Sequence, residues 1–301
     1  MVATPDSKSY LVVVITTALN TPLPAISLDN MEQHSIPDVK PSNVNDLVSG
    51  LALKDFYHRY PEVRMEPVVA LVAAYEEVSN IGQVLDAIPV TACGFATTTL
   101  VVVDGGDDGT EDVVMKHPSH AQNMYCCVLP VNMGHGIALK IGYELALRHG
   151  ARYVVTLDAD GQNDPKEMEQ LLEPVVSGEA DLVVGSRRLG TDHTSDRMRK
   201  AGVLFFGKVI SLLTKVNITD TSNGYRAFRA ALLDDITLEQ AQYQTAEVII
   251  AAAMHGWRIQ ERPVTWHPRA SGTTKKGHNV WFGFNYAMVT ARTWLRERRN
   301  R

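Results

Sequence analysis

The 301-residue sequence predicts an α/β protein built on a doubly wound, mainly parallel sheet with helices on both faces. Three observations carry that prediction. Beyond Pro67, short apolar runs alternate with amphipathic segments in a regular order, the pattern of successive βαβ units. The composition, 45% hydrophobic and 21% charged, is that of an ordinary globular chain with room for one large domain or two small ones. Polar and glycine-rich motifs stand at the ends of the apolar runs, where open α/β sheets gather their ligands.

Residues 1–66 are poorly patterned, because Pro22, Pro24, Pro37 and Pro41 interrupt them, and only residues 45–57 have a helical pattern. They read as a peripheral arm. Residues 67–279 form the main domain. Its strands are VVALVAA (68–74), TTLVVVD (98–104), YCCVL (125–129), YVVTLD (153–158) and DLVVGS (181–186), with helices near 78–88, 110–117, 136–149 and 165–177. A further strand follows Asn223-Gly224, where alternation turns Arg226 and Phe228 to one face and Ala227 and Arg229 to the other. Another ends at Trp266. Residues 280–301 form an amphipathic, basic helix: Trp281, Phe284, Met288, Ala291 and Leu295 share one face, and Arg292, Arg296 and Arg299 another.

Several classes are excluded. The apolar stretches LVVVITTAL and VVALVAA fall short of the roughly 18 residues of a membrane span, and the apolar patch at 11–19 lacks a basic leader and a cleavage site. A cytoplasmic protein is expected. Cys93, Cys126 and Cys127 have no zinc-ligand spacing and read as buried strand residues in a reducing compartment. The net charge of −5 gives no reason to expect nucleic acid. Its distribution is uneven: from Arg258 onward ten Lys or Arg face only Glu261 and Glu297, a net +8 that leaves −13 elsewhere. A basic end on an acidic body suggests an anionic surface or a phosphate partner.

The most informative stretch is VVTLDADGQNDP, where Asp158 and Asp160 leave a strand end on the same side and can converge on one point. Such a pair suits a hard divalent ion, Mg²⁺ or Mn²⁺, which takes carboxylate oxygens together with substrate phosphates and water. Taken alone it reads more readily as a solvated turn, because short acidic motifs match often by accident. Its neighbours argue for a site: Glu76 and Glu77 follow the first strand, DGGDDGT with Asp104 the second, and NMGHGIALKIG the third, a turn whose N–H groups could face phosphate. Leu139 replaces the third glycine of a dinucleotide fingerprint, and no Walker loop is present.

These motifs, with VVGSRR, DTSNGYRAFR, the helix carrying Glu247 and RPVTWHPRASGTTKK, resemble the family 2 glycosyltransferases in the family's order over about residues 67–276. Within the family the likeness is to polyprenol-phosphate hexosyltransferases of the dolichol-phosphate mannose synthase type. The resemblance implies a GT-A fold and a metal-dependent, inverting transfer of a hexose from a nucleoside-diphosphate sugar, UDP or GDP, to a polyprenyl phosphate. It makes Asp158 and Asp160 the metal pair. Ala74, Tyr75, Glu76 and Asp104 would line the nucleoside pocket, with Gly134, Gln162 and Arg187 also on the donor side. Arg226, Arg269 and Lys275 would meet the acceptor phosphate, and Glu247 would face the sugar as a catalytic residue with Arg226. Two positions depart from the family pattern: Gly105 replaces a common Asp, and Asn163 a common His.

A lipid phosphate is already anionic and needs no strong base, whereas a hydroxyl acceptor would need a carboxylate, for which Glu247 and Asp220 are the candidates. A soluble enzyme acting on a small-molecule or natural-product acceptor therefore stays open, as does a non-catalytic nucleotide-sugar-binding subunit. For the terminal helix two readings stay open, packing on the domain or peripheral contact with the inner membrane face. The loop at 267–278, with Arg269, Lys275 and Lys276, is expected to close over the diphosphate.

Overall fold

A computed structural model describes residues 44–194, 196–269 and 279–300. Lys275 and most of the expected closing loop lie outside the described residues.

Eight strands form one sheet: β1 (Val68–Ala74), β2 (Thr91–Ala92), β3 (Phe95–Val103), β4 (Met124–Val128), β5 (Tyr153–Asp158), β6 (Leu182–Asp192), β7 (Arg226–Arg229) and β8 (Ile259–Trp266). The order is β2-β3-β1-β5-β7-β6-β8, with β4 also on β3. Pairs β1–β3, β1–β5, β3–β4 and β6–β8 are parallel, and β7 runs antiparallel to both neighbours. The mainly parallel sheet expected from the alternation is therefore present.

The helices are α1 (Val44–Arg59), α2 (Ile81–Ala87), α3 (Thr110–Lys116), α4 (His135–Arg148), α5 (Met168–Val176), α6 (Arg197–Thr214), α7 (Ala230–Asp235), α8 (Gln244–Met254) and α9 (Asn279–Arg299). They cover both faces. One apolar cluster gathers Val69, Leu71, Leu100, Leu139, Phe228 and Ile249, and the other Val68, Val72, Val101, Leu157, Leu171 and Ala227. Adjacent residues of one strand fall into opposite clusters because side chains alternate, and each buried Val or Leu contributes about 1.5–3 kcal/mol. Phe228 and Ala227 separate as their sequence predicts.

Residues 44–66 are not peripheral. Val48, Ala52 and Phe56 recur on one side of α1 and are buried, as are Val63 and Met65 in the segment after it. The Phe56 ring lies 6.3 Å from that of Tyr125 on β4, and the Cys126 N–H donates to the Tyr60 hydroxyl at 3.2 Å. Helix α6 is an element the sequence reading lacked. The terminal helix α9 packs on the domain through Tyr286, Val289, Thr290, Thr293 and Glu297, which are all buried.

Candidate active site

Strands β1, β3 and β5 are parallel and end at one level, with Ala74 beside Val103 and Ala73 beside Asp158. Their carboxyl ends open into a cavity of about 440 Å³. Asp158, Ala159 and Asp160 all line it, and Ala159 also packs against the core. Asp158 Oδ1 lies 3.1 Å from His135 Nε2. Opposite it stands Gly224, where a Cβ would come within 3.2 Å of that same oxygen, so a side chain there would crowd the carboxylate. Asp160 Oδ1 accepts from the Gln162 N–H at 3.1 Å, and its Oδ2 accepts from Arg269 Nη2 at 3.1 Å. The other arm of Arg269 donates to Glu77 Oε1 at 2.8 Å.

Asp104 lines the same cavity and fastens its wall. Its carboxylate accepts from the N–H groups of Met133 and Gly134 at 2.7 and 2.9 Å, drawing the turn before α4 onto the end of β3. Burial raises its pKa, and the two N–H donors offset part of that rise. The Gly136 N–H is likewise taken, by the Ala241 carbonyl at 2.8 Å. These three N–H groups thus hold protein oxygens instead of the phosphate the sequence suggested.

Ala74, Tyr75 and Gly134 line the cavity as expected, but Glu76 does not. Its backbone is left-handed, with φ of 51°, which turns the side chain outward and brings Glu77 in. The Glu76 carboxylate hydrogen-bonds Tyr75, raising that phenol's pKa. Gln162 stands behind the wall, donating to the His267 carbonyl at 3.1 Å and so tying the DAD turn to the end of β8. Asn163 is buried, and its amide atoms have no hydrogen-bond partner among the described residues. Gly105 has φ of +70°, and a Cβ there would stand 2.5 Å from the Asn132 nitrogen, so an Asp fits this turn only if it shifts.

Three residues expected at the site have other partners. Arg226 is buried and spends its whole fork on backbone carbonyls, those of Asn223, Thr245 and Thr221 at 2.7–2.9 Å. Burial lowers its pKa. It shapes the 221–224 turn from behind instead of meeting phosphate. Arg187 is also buried, gripping Asp220 through Nε and Nη2 at 2.6 and 2.7 Å and stacking over Trp266. Burial alone would raise the Asp220 pKa, but the Arg187 fork reverses this and holds it below the usual carboxylate range. Glu247 faces away from the cavity. Its oxygens accept from the N–H groups of Glu239 and Gln240 at 2.9 and 3.0 Å and from Arg296 at 2.9 Å, so it anchors α9.

Sequence reasoning gave no role to His135, Ser222 or the segment 242–245 and named Glu77 only as a strand-end neighbour, and all of them line the cavity. His135 was legible, since it opens a helix right after a strand-end turn. The 242–245 segment carries no motif, and only tertiary packing brings it to the site.

Residues 70–237 match the family described as glycosyl transferase family 2. The undecaprenyl-phosphate mannosyltransferase of Micrococcus luteus is 30% identical over 241 residues, covering 75% of this chain and 93% of that protein. The dolichyl-phosphate hexose transferase of Haloferax volcanii is 29% identical over 212 residues, covering 70% and 88%. Among solved structures, glucosyl-3-phosphoglycerate synthase from Mycobacterium tuberculosis, in complex with Mn²⁺, UDP and phosphoglyceric acid, shares the fold with a TM-score of 0.57 at 16% identity, over 86% of this chain and 84% of that one.

Proposed function

The chain belongs to glycosyl transferase family 2, and from that premise we propose that it moves a hexose from a nucleoside-diphosphate sugar to a polyprenyl phosphate, with inversion and with Mg²⁺ or Mn²⁺ bound. The sheet is of the GT-A type, and the enzyme is a glycosyltransferase similar to polyprenyl-phosphate sugar transferases.

The observation that carries the proposal is the convergence of Asp158 and Asp160 on one cavity wall. Among the described residues no group of three or more His, Cys, Asp or Glu could hold a metal by itself. Two carboxylates fit an ion that takes its remaining oxygens from a diphosphate and water. Bound there, the ion supplies positive charge to the departing nucleoside diphosphate. His135 orients Asp158, and the Gln162 N–H orients Asp160. Arg269 is the described cation nearest this pair, and its forked guanidinium suits phosphate oxygens as well as the carboxylates it now holds.

In the reaction an acceptor phosphate oxygen forms the new bond to the anomeric carbon as the bond from that carbon to the donor phosphate oxygen breaks. The electron pair leaves with the diphosphate. An anionic oxygen needs no base, and the two carboxylates the sequence offered as bases for a hydroxyl, Asp220 and Glu247, are both fully buried in ion pairs. The test is incubation with radiolabelled UDP- and GDP-hexoses, Mn²⁺ and a polyprenyl phosphate. Label in the organic phase is the expected result, and label confined to water-soluble products would contradict the lipid acceptor.

A further inference from the structure

Helix α9 meets the back of the cavity wall at Tyr286. That side chain is buried, and its hydroxyl donates to the Thr221 carbonyl at 2.9 Å and lies 3.0 Å from Thr221 Oγ1. The same carbonyl accepts from Arg226 Nη2 at 2.9 Å. Burial raises the phenol's pKa, so it stays protonated, and a donor, well past neutral pH. Its ring packs on Phe206 of α6 at 4.7 Å and edge-on to Tyr243 at 6.1 Å, and Tyr243 lines the cavity.

What Tyr286 holds bears on the metal pair. Thr221 opens the turn in which Ser222 and Gly224 line the cavity. Ser222 Oγ accepts from Arg187 at 2.6 Å, and the Gly224 carbonyl accepts at 2.6 Å from the Thr156 hydroxyl, on the same strand as Asp158. Gly224 faces Asp158 so closely that a Cβ on it would lie 3.2 Å from Oδ1. The Asp158 carboxylate therefore takes its place from this turn as well as from His135. Arg226 clamps the turn from within its own segment, whereas the Tyr286 hydroxyl comes from a helix 65 residues further along the chain.

We propose that Tyr286 is a positioning residue of the active site: its hydroxyl fixes the 221–224 turn against Asp158, so that the terminal helix sets the geometry in which the metal pair takes its ion. The role rests on the proposed metal-dependent transfer and deepens it. Tyr286 lies behind the lining residues and acts through Thr221, and a small misplacement of a supporting group costs rate far more than it costs fold.

The test compares two substitutions in the full chain that each cost α9 one hydrogen bond. Tyr286→Phe removes the hydroxyl but keeps the ring on Phe206 and Tyr243, with the Thr221 carbonyl still held by Arg226. Trp294→Phe removes the indole N–H that donates to the Leu213 carbonyl at 3.3 Å, about 12 Å further along the helix. The readings are calorimetric titration of Mn²⁺ in the presence of UDP or GDP, nucleotide affinity without metal, and kcat, beside the urea midpoint. Tyr286→Phe should weaken Mn²⁺ binding and lower kcat by about tenfold each, with metal-free nucleotide affinity unchanged, and Trp294→Phe should match the wild type in all three. Thr221→Val removes the other hydroxyl of the pair, should shift the same readings in the same direction, and takes the place of Tyr286→Phe if that variant does not fold. Wild-type Mn²⁺ affinity and kcat in the folded variant would overturn the role. Equal losses in Trp294→Phe would overturn it too, assigning them to a loosened helix. Wild-type protein whose nucleotide binding ignores Mn²⁺ would overturn the metal dependence of the proposed function, and this role with it.

Discussion

Along β1, β3 and β5 the carboxylates Glu77, Asp104, Asp158 and Asp160 all reach one cavity, and one described cation, Arg269, lies among them. Along β6, β7 and α8 the charges turn inward: Arg187 grips Asp220, Arg226 grips three carbonyls, and Glu247 holds Arg296. Both regions carry motifs of the same family, so motif membership alone does not separate ligands from framework. What separates them is reach. A carboxylate at a strand end is short, and alternation fixes where it points, whereas a long guanidinium goes to whichever acceptors surround its tip.

The comparison breaks most visibly in turnover. Asp158→Ala or Asp160→Ala should lower transfer by about a thousandfold or more, the several kcal/mol a bound metal supplies to a leaving diphosphate. Their unfolding free energies should stay within about 1 kcal/mol of wild type, since both side chains end in the cavity. Steady-state rates read beside urea unfolding would show it, and near wild-type turnover in Asp160→Ala would remove the pair from the mechanism.

On the other side the expected losses are of stability. Glu247→Ala leaves two backbone N–H groups unpaired in the interior and takes one of three carboxylates from Arg296, which keeps Glu239 and Glu297, so about 2–3 kcal/mol of unfolding free energy should go with it. Turnover per folded molecule should persist. An unshifted urea midpoint with lost turnover would return Glu247 to the chemistry. Arg226→Lys keeps the charge but not the fork that spans three carbonyls, so about 2 kcal/mol of stability should be lost with the acceptor KM unchanged.

The smallest effect is a pH dependence at the foot of α9. Burial pulls the His255 pKa down, but hydrogen bonds to Asp235 and Glu297 outweigh it and hold the group above its ordinary 6.5. A group raised on folding stabilises fully below its unfolded pKa, and that contribution fades as pH rises through the folded value. Because the imidazole is partly exposed, less than about 1 kcal/mol is expected. Urea midpoints should therefore decline from about pH 6 to about pH 8 in the wild type and decline less in His255→Gln.

The sheet was legible because strand periodicity and strand-end chemistry are local. Asp158, Asp160 and Asp104 stand in the cavity for that reason. Helix α6 was not, since Leu204, Phe205 and Leu212 are apolar on its exposed side and blur the one-sided pattern that marks a surface helix. Glu76 and Glu77 were indistinguishable in sequence, and a single left-handed residue decides between them. The inward arginines were illegible for a third reason: carbonyls of the 221–224 turn and Thr245 exist as acceptors only once the chain has folded.

One measurement tests the division of labour directly: calorimetric titration of UDP and GDP into wild type, Asp160→Ala and Glu247→Gln, each with and without Mn²⁺. The account predicts that Mn²⁺ strengthens binding of the preferred diphosphate by about tenfold or more in wild type and in Glu247→Gln, and leaves it unchanged in Asp160→Ala. Metal enhancement that survives in Asp160→Ala, or vanishes in a folded Glu247→Gln, would contradict it.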